Sequence, residues 1–206
     1  IRDIGVTGVQ TCALPIYGKV KERTCIPNYN ERALEKTYTP EPKAEKYARK
    51  WVGTLMYPAR GTRADITSAT NRLARRVSRW DVEDTKRLEE LIGYLKGTQG
   101  LEVHIDAIPF QKGVPLELAV FSDSDHASAN DRHSQSGSAV MLIGDGTRAP
   151  LTWISRRQTS VSLSSTEAEV AAIVESLRVY DEILEVCTAL QLDVKSTLYV
   201  DNDAAL

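Results

Sequence analysis

The stretch "LTWISRRQTSVSLSSTEAEVAAI", residues 151–173, changes from the repeat of a β-strand to that of an α-helix within a few residues. Its beginning completes "APLTWIS" (149–155), a run of apolar, aromatic and β-branched residues that is typical of a strand. From Thr166 onward, apolar residues recur every three or four positions, which predicts an amphipathic helix of about 22 residues. We expect its buried stripe to contain Val170, Ile173, Val174, Leu177, Leu184 and Cys187.

Strand patterns also lie on both sides of this stretch. "LELAVFSDSD" (116–125) and "GSAVMLIG" (137–144) precede it, and "STLYVDN" (196–202) follows it. "DGTR" (145–148) is a hairpin turn signal, and the alternating run "LEVHID" (101–106) predicts one more short strand. Hairpins followed by a strand–helix–strand unit predict an α/β fold with a mixed sheet, and we expect a further helix to begin near Ala204.

The preceding part of the chain has a helical repeat. Residues 44–100 predict a unit of three helices, of which the third begins after a capping Asp81 and ends at Gly97. Residues 17–43 contain three prolines and little periodicity, which indicates an irregular lead-in. We therefore expect a helical unit over 44–100 and a second domain over 101–206.

Charge is distributed unevenly between these two regions. Residues 43–100 carry 13 Lys and Arg against 7 Asp and Glu, whereas residues 101–206 carry 7 against 16. A basic segment joined to an acidic one could hold a polyanion near carboxylates that bind cations. Two solvated surfaces with no common purpose would give the same distribution, so charge alone leaves both interpretations open.

Two classes of protein are disfavoured by composition. No apolar run approaches the ~18 residues that a membrane-spanning helix needs, so we expect no membrane partner. The three cysteines have no CxxC spacing, which fits a reducing compartment and argues against a structural zinc site or a disulfide framework.

Three acidic residues occupy special positions in the predicted elements. Asp123 lies toward the end of the first long strand, Glu169 in the first turn of the long helix, and Asp201 at the end of the last strand. Such positions can converge, and carboxylate oxygens suit Mg²⁺ or Mn²⁺, two of which can act on one phosphodiester.

Glu169 also has a competing role at the start of the long helix. Thr166 and Glu169 have the spacing of a capping box, as do Ser164 and Glu167. Only one pair can close the helix, and we expect Ser164 with Glu167 to do so, which leaves Glu169 free to face a metal.

Several blocks together resemble one family. "FSDSDHASANDRHSQSGSAVMLIG" (121–144), "LTWISRRQTSVSLSSTEAEVAAI" (151–173) and "LYVDN" (198–202) resemble, in this order, the ribonuclease H domain of copia-type retrotransposon polyproteins. "WVGTLMYPARGTRADITSATNRLARR" (51–76) and "GYLKGTQG" (93–100) resemble the segment that joins the polymerase of those polyproteins to the nuclease.

The resemblance implies a ribonuclease H-like fold and an endoribonuclease that hydrolyses the RNA strand of RNA/DNA hybrids during reverse transcription. It implies two Mg²⁺ ions, with Mn²⁺ as an alternative, held by Asp123, Glu169, Asp201 and a fourth aspartate expected on a helix after Leu206. The implied partners are the hybrid and the upstream reverse-transcriptase domain of the same polyprotein. The implied location is a retrotransposon particle in the cytoplasm.

Further residues are candidates for supporting roles around these carboxylates. We expect Asp125, on the same strand face as Asp123, to lie behind the ligands rather than to bind metal. His126 and His133 are expected to be turn residues. Candidate substrate contacts are Arg132, Ser136, Arg156, Arg157, Ser164, Ser165, Thr166 and Asn202, for which ordinary loop and cap chemistry is the alternative.

Three other functions are alternatives to the nuclease. A non-catalytic module that binds hybrid or supports the polymerase would be marked by a missing ligand, and none of the three carboxylates is missing. An integrase core is disfavoured by the upstream blocks. In "YVDND" (199–203) an inserted Asn separates the two acids of a polymerase-like Y-x-D-D box, which disfavours a polymerase site.

The first sixteen residues stand apart from the rest of the chain. "VTGVQTCALPI" (6–16) resembles the frame translation of a sequencing adapter, and "IRD" (1–3) resembles the end of the accompanying primer. We expect residues 1–16 to be an artefact of this origin and assign them no function.

Overall fold

The structure is a computed structural model that describes residues 20–27, 40–107, 115–127 and 132–201. Of the described residues, those up to Val103 and those from His104 onward form two separate compact units. The predictions for residues 1–16, for Asn202 and for a helix near Ala204 lie outside the described residues.

The first unit consists of helices around an apolar core. Its elements are α1 (Pro42–Gly61), a 3₁₀ turn (Ala64–Ile66), α2 (Thr67–Arg76) and α3 (Val82–Gly97). Its most deeply buried large side chains are Leu55, Ile66, Leu73, Trp80, Leu88, Leu91, Ile92 and Leu95. Both predicted ends of the third helix are confirmed. The Asp81 carboxylate accepts a hydrogen bond from the Asp84 amide and so caps the first turn, and the helix ends at Gly97.

A buried polar network also stabilises this unit. Arg63 is almost fully buried and donates to Asp65, whose carboxylate also accepts a 2.8 Å bond from the Tyr94 hydroxyl. Burial alone would raise the pKa of Asp65, but the bonds from Arg63 and Tyr94 outweigh it and the pKa is lowered. Because the pKa of Asp65 is lowered in the folded state, its ionised carboxylate stabilises the fold. This stabilisation is present above the unfolded pKa of the carboxyl group and is lost as pH falls through the lowered value.

Within its described residues, the second unit contains one sheet and one long helix. Its elements are β1 (Leu116–Asp125), β2 (Gln135–Gly144), β3 (Thr147–Arg157), α4 (Ser165–Ala189) and β4 (Val194–Val200). The sheet order is β3-β2-β1-β4, with β1–β2 and β2–β3 antiparallel and β1–β4 parallel. The predicted α/β fold with a mixed sheet is confirmed.

Two local signals fix the hairpin and the start of the helix. Asp145 and Gly146 form the turn between β2 and β3, where Gly146 has a φ of 68° that an L side chain rarely adopts. At the start of α4, the Ser164 hydroxyl accepts a 3.1 Å bond from the Glu167 amide. Ser164 is therefore the cap, as one of the two predicted boxes requires, but the Glu167 carboxylate accepts from the Leu163 amide rather than from the Ser164 amide.

The run "LEVHID" (101–106) is a correction. It does not form a strand, and its contact with the sheet is an isolated bridge between Asp106 and Arg148. Alternation alone does not make a strand, because a strand needs a partner edge along its length.

The predicted stripe of α4 is a second correction. Val170, Val174 and Leu177 are 46%, 46% and 40% exposed. In the first half of the helix the buried face is formed instead by smaller residues, Ala168, Ala172 and Ser176. Farther along, Leu184 packs against the cluster of Leu118, Val120 and Val140 as part of a group with Val179, Tyr180, Ile183, Val194 and Leu198. Small residues allow the first turns of α4 to approach the sheet closely.

The cap of α4 gives a testable prediction. Ser164→Ala removes the acceptor for the Glu167 amide and should lower the free energy of unfolding by about 1 kcal/mol. Ser165→Ala is the matched control, because Ser165 is the next residue, is exposed and is not the cap. Urea denaturation measures both, and equal losses in the two variants would contradict the capping role.

Candidate metal centre

Three carboxylates from three separate elements meet at one edge of the sheet. Asp123 lies near the end of β1, Glu169 in the early part of α4 and Asp201 immediately after β4. One carboxylate oxygen of each lies within 4.8 Å of those of the other two. The structure therefore brings together the three residues that the sequence singled out as metal ligands.

Strand register accounts for the approach of the two aspartates. β1 and β4 are parallel, and Ser122 pairs with Val200, so the next residues of both strands, Asp123 and Asp201, lie side by side. Both are exposed. They belong to the wall of a groove of about 510 Å³. Their carboxylates are therefore open to a ligand in that groove.

Glu169 reaches the same point from the helix and is buried there. Its side chain is 6% exposed, and its Oε1 accepts a 2.8 Å bond from the Ser124 hydroxyl. Its Oε2 is buried and has no hydrogen-bond partner among the residues that the structure describes. A buried carboxylate oxygen without a partner is costly, and a bound cation is one way in which such an oxygen is satisfied.

Ser124 is a site residue that the sequence analysis missed. It lies between Asp123 and Asp125 in "SDSD", and strand alternation turns its side chain to the opposite face of the sheet from Asp123. That face carries α4, so the hydroxyl can reach Glu169. The alternation was readable from the sequence, but the identity of the helix residue opposite Ser124 was not.

The groove also has an aromatic side. The rings of Phe121 and Tyr199 stack with centroids 4.9 Å apart and an angle of 13° between their planes. The Tyr199 hydroxyl donates a 2.9 Å bond to Glu117. Bonds from Thr197 and Tyr199 lower the pKa of Glu117, and the bond to Glu117 raises the pKa of Tyr199.

Gly137 keeps the groove open opposite the first aspartate. It pairs with Asp123 across β1 and β2 and lines the groove. A Cβ at this position would lie 3.9 Å from the Asp123 carbonyl oxygen, which is an ordinary contact. The glycine is therefore not required by the backbone, and a larger side chain would project toward the carboxylates.

The other predicted acidic and basic residues are distributed around this edge. Asp125 is exposed, pairs with Gln135 at the end of β1, and lies outside the group of three carboxylates. Arg132 is exposed and has a positive φ of 61°. The Arg156 guanidinium lies 3.8 Å from Glu175 on α4, which turns it toward the helix rather than toward the groove. Arg157 is half-buried at the end of β3.

The predicted hydroxyl contacts and histidines have different surroundings. Ser136 is fully buried and accepts a bond from Gln158, so its hydroxyl is not at the surface. Ser164 is the cap of α4, Ser165 is exposed and Thr166 is half-buried. The ring of His133 forms a 2.9 Å hydrogen bond with the Gln158 carbonyl. Among the described residues, neither His133 nor His126 belongs to the group of side chains that could hold a metal ion.

The chemistry of the three donors fits a hard divalent cation. All three are carboxylates, two are exposed to the groove, and the third, Glu169, has one oxygen without a hydrogen-bond partner among the described residues. Negative charges this close repel each other unless a cation or a proton is shared among them. The arrangement can therefore hold Mg²⁺ or Mn²⁺, for which carboxylate oxygen is a preferred ligand.

No helix in the part of the chain that the structure describes is long and apolar enough to cross a membrane.

Comparisons with known proteins find relatives of this chain among retrovirus-related Pol polyproteins. No protein-family model matches the chain. It is 30% identical over 181 residues to the retrovirus-related Pol polyprotein from transposon RE1 of Arabidopsis thaliana, covering 81% of this chain and 12% of that protein. It is also 30% identical over 156 residues to that from transposon RE2 of the same plant, covering 75% of this chain and 10% of that protein. The chain thus spans about a tenth of the length of these relatives.

One solved structure is also similar to the chain. It is described as the foamy viral protease-reverse transcriptase in complex with RNA/DNA hybrid. The two share 13% identity with a TM-score of 0.45, over 77% of this chain and 20% of that chain.

Repulsion among the carboxylates gives a prediction for the metal-free chain. Glu169→Gln removes one negative charge while keeping an oxygen for the Ser124 hydroxyl. In a chelator it should raise the free energy of unfolding by roughly 1–2 kcal/mol, because like charges are relieved. Urea denaturation with excess chelator measures the change.

Glu175→Gln is the matched control for this experiment. Glu175 lies on the same helix but has Arg156 as an ion-pair partner, so its neutralisation should not stabilise the chain. If Glu169→Gln destabilised the chain as much as this control, the carboxylates would not be in repulsive contact.

Proposed function

Because the chain belongs to the copia-type retrovirus-related Pol polyproteins, we propose that residues 101–206 form an endoribonuclease that hydrolyses the RNA strand of RNA/DNA hybrids. The observation that carries the proposal is the approach of the three carboxylates within 4.8 Å. The buried Oε2 of Glu169 supports it, since this oxygen has no hydrogen-bond partner in the part of the chain that the structure describes.

In this proposal Asp123, Glu169 and Asp201 hold two divalent ions, Mg²⁺ or in its place Mn²⁺. The chemistry that such a pair supplies when bound is the activation of water and the stabilisation of the leaving oxygen of a phosphodiester. The three carboxylates would repel a nucleic-acid phosphate in the absence of cations, so binding of such a substrate requires cations at this site.

The protein's own residues shape and orient this site. Ser124 holds Oε1 of Glu169, and Oε2, which has no hydrogen-bond partner among the described residues, would be available to an ion. Gly137 leaves room in the groove opposite Asp123, where a phosphodiester has to approach. Phe121 and Tyr199 form the apolar wall beside it. These residues bind and position, and none of them needs to transfer a proton.

The proposal extends to partners and location. The substrate would be the RNA/DNA hybrid made by the upstream reverse-transcriptase domain of the same polyprotein, inside a retrotransposon particle in the cytoplasm. The exposed Arg132, close to the end of the sheet that carries the carboxylates, is the strongest of the predicted basic residues for a backbone contact.

Asp123→Asn tests the catalytic assignment. It should lower hybrid cleavage in Mg²⁺ by at least about 100-fold, because loss of one charged group that acts in the transition state costs about 10²–10³-fold. Cleavage is measured with a hybrid labelled on the RNA strand. The thermal midpoint in chelator should stay equal or rise, which excludes misfolding as the cause.

Asp145→Asn is the control, because Asp145 lies in the β2–β3 turn, away from the carboxylates. It should cleave like the unmodified chain. Retained cleavage by purified Asp123→Asn would overturn the assignment. An unmodified chain that binds hybrid and Mn²⁺ without cleaving would favour the alternative, a non-catalytic hybrid-binding or scaffolding module.

A further inference from the structure

A buried glutamine at the end of β3 has bonds to several of the segments that surround the carboxylates. Gln158 is 3% exposed and directly follows the last strand residue, Arg157. Its side-chain nitrogen donates to the Ser136 hydroxyl at 3.1 Å and to the Ala168 carbonyl at 2.8 Å. Its side-chain oxygen accepts a 3.0 Å bond from the Ser162 hydroxyl.

Both ends of the Gln158 amide are therefore used, and their orientation is determined. A backbone carbonyl can only accept, so the nitrogen must face Ala168 and the oxygen must face Ser162. The Gln158 backbone amide also donates to the Ser134 carbonyl at 2.8 Å. A single residue thus joins β2, the segment before it, the loop before α4 and the first turns of α4.

These bonds close a ring that includes Glu169. Ala168, held by Gln158, directly precedes Glu169 in the helix. Ser136, also held by Gln158, pairs with Ser124 across β1 and β2, and Ser124 donates to the Glu169 carboxylate. The backbone of the glutamate is fixed through Gln158 and its side chain through Ser124.

We propose that Gln158 is a positioning residue that sets the distance of Glu169 from Asp123 and Asp201. This inference rests on the metal-binding role proposed above for Glu169. Small residues let α4 approach the sheet here, but apolar contact alone is not directional and would allow the helix to slide or rotate. The bond from the Gln158 amide to the Ala168 carbonyl fixes the helix at one point along its axis, and the bonds with Ser136 and Ser162 hold that amide in place.

Gln158→Met is the direct test, because methionine has a similar length and volume but no donors. Residues that orient metal ligands typically change metal affinity by about 10–100-fold, so we expect the dissociation constant for Mn²⁺ to rise by about tenfold or more. Electron paramagnetic resonance of free Mn²⁺ measures it in the full chain, at a temperature where circular dichroism shows both proteins folded.

Leu118→Ala is the control for a merely structural effect. Leu118 is fully buried in the core near the opposite end of β1, where it pairs with Leu142. Its truncation should lower the thermal midpoint and leave Mn²⁺ affinity unchanged. If Leu118→Ala weakened Mn²⁺ binding as much as Gln158→Met, the effect would be one of stability and the inference would be overturned.

Two further measurements test the bonds of Gln158. Ser136→Ala keeps Gln158 but removes one of its two acceptors, and should weaken Mn²⁺ binding less than Gln158→Met does. In chelator, the side-chain carboxyl resonance of Glu169 should shift in Gln158→Met and stay in place in Leu118→Ala.

The two proposals fail in different ways. An unmodified chain that binds no Mn²⁺ would overturn the metal site, while the carboxyl resonance of Glu169 would still decide whether Gln158 positions it. A Gln158→Met variant with unchanged Mn²⁺ affinity and an unshifted Glu169 resonance would overturn the role of Gln158.

Discussion

The parallel pairing of β1 with β4 is the constraint on which the candidate site depends. Parallel strands end at the same edge of a sheet, so the residues that follow Ser122 and Val200 are neighbours in space although they are far apart in the chain. β3 is antiparallel to β2, and β2 to β1, so β3 also ends at this edge. α4 begins soon after β3 and therefore starts there too. Because β1, β3 and β4 run in the same direction, Asp123, Glu169 and Asp201 lie together at one edge of the sheet.

Bringing three carboxylates together costs free energy, and the surrounding contacts have to offset it. The hydrophobic cluster of Leu118, Val120 and Val140 holds α4 on one face of the sheet, but it lies away from the charged edge. At that edge the structure uses directional polar bonds instead, from Ser124 to Glu169 and from Gln158 to Ala168. Apolar burial gives this unit its stability, whereas hydrogen bonds define the geometry of its charged end.

The two faces of the sheet have different roles at this end. The side chains of Ser124 and Ser136 point toward α4 and are enclosed in polar bonds. Phe121, Asp123 and Gly137 line the groove on the other side. Alternation along β1 is therefore enough to supply a ligand to the groove from one residue and a hydrogen bond to the buried glutamate from the next. Such an arrangement keeps Glu169 away from bulk water while Asp123 and Asp201 remain accessible.

The sequence by itself determined features that depend on neighbouring residues. The Asp81 cap, the Gly97 end of α3 and the Asp145–Gly146 turn follow from local bonds and dihedral preferences. Both candidate caps of α4 had the required spacing, so spacing alone did not decide that Ser164 is the cap. Alternation determined β1, and the family resemblance supplied the three acidic residues.

Only the tertiary structure decided features that depend on a distant partner. The apolar pattern of "LEVHID" could not show that a strand partner is absent along its length, apart from the single bridge at Asp106. α4 has apolar residues on more than one side, and the close approach of the sheet selected Ala168 and Ala172 for burial instead of Val170 and Val174. The bonds of Ser124 and Gln158 join residues far apart in the chain, and their partners are set by register and helix position. Sequence periodicity specifies elements, but the contacts that orient Glu169 arise only when those elements pack.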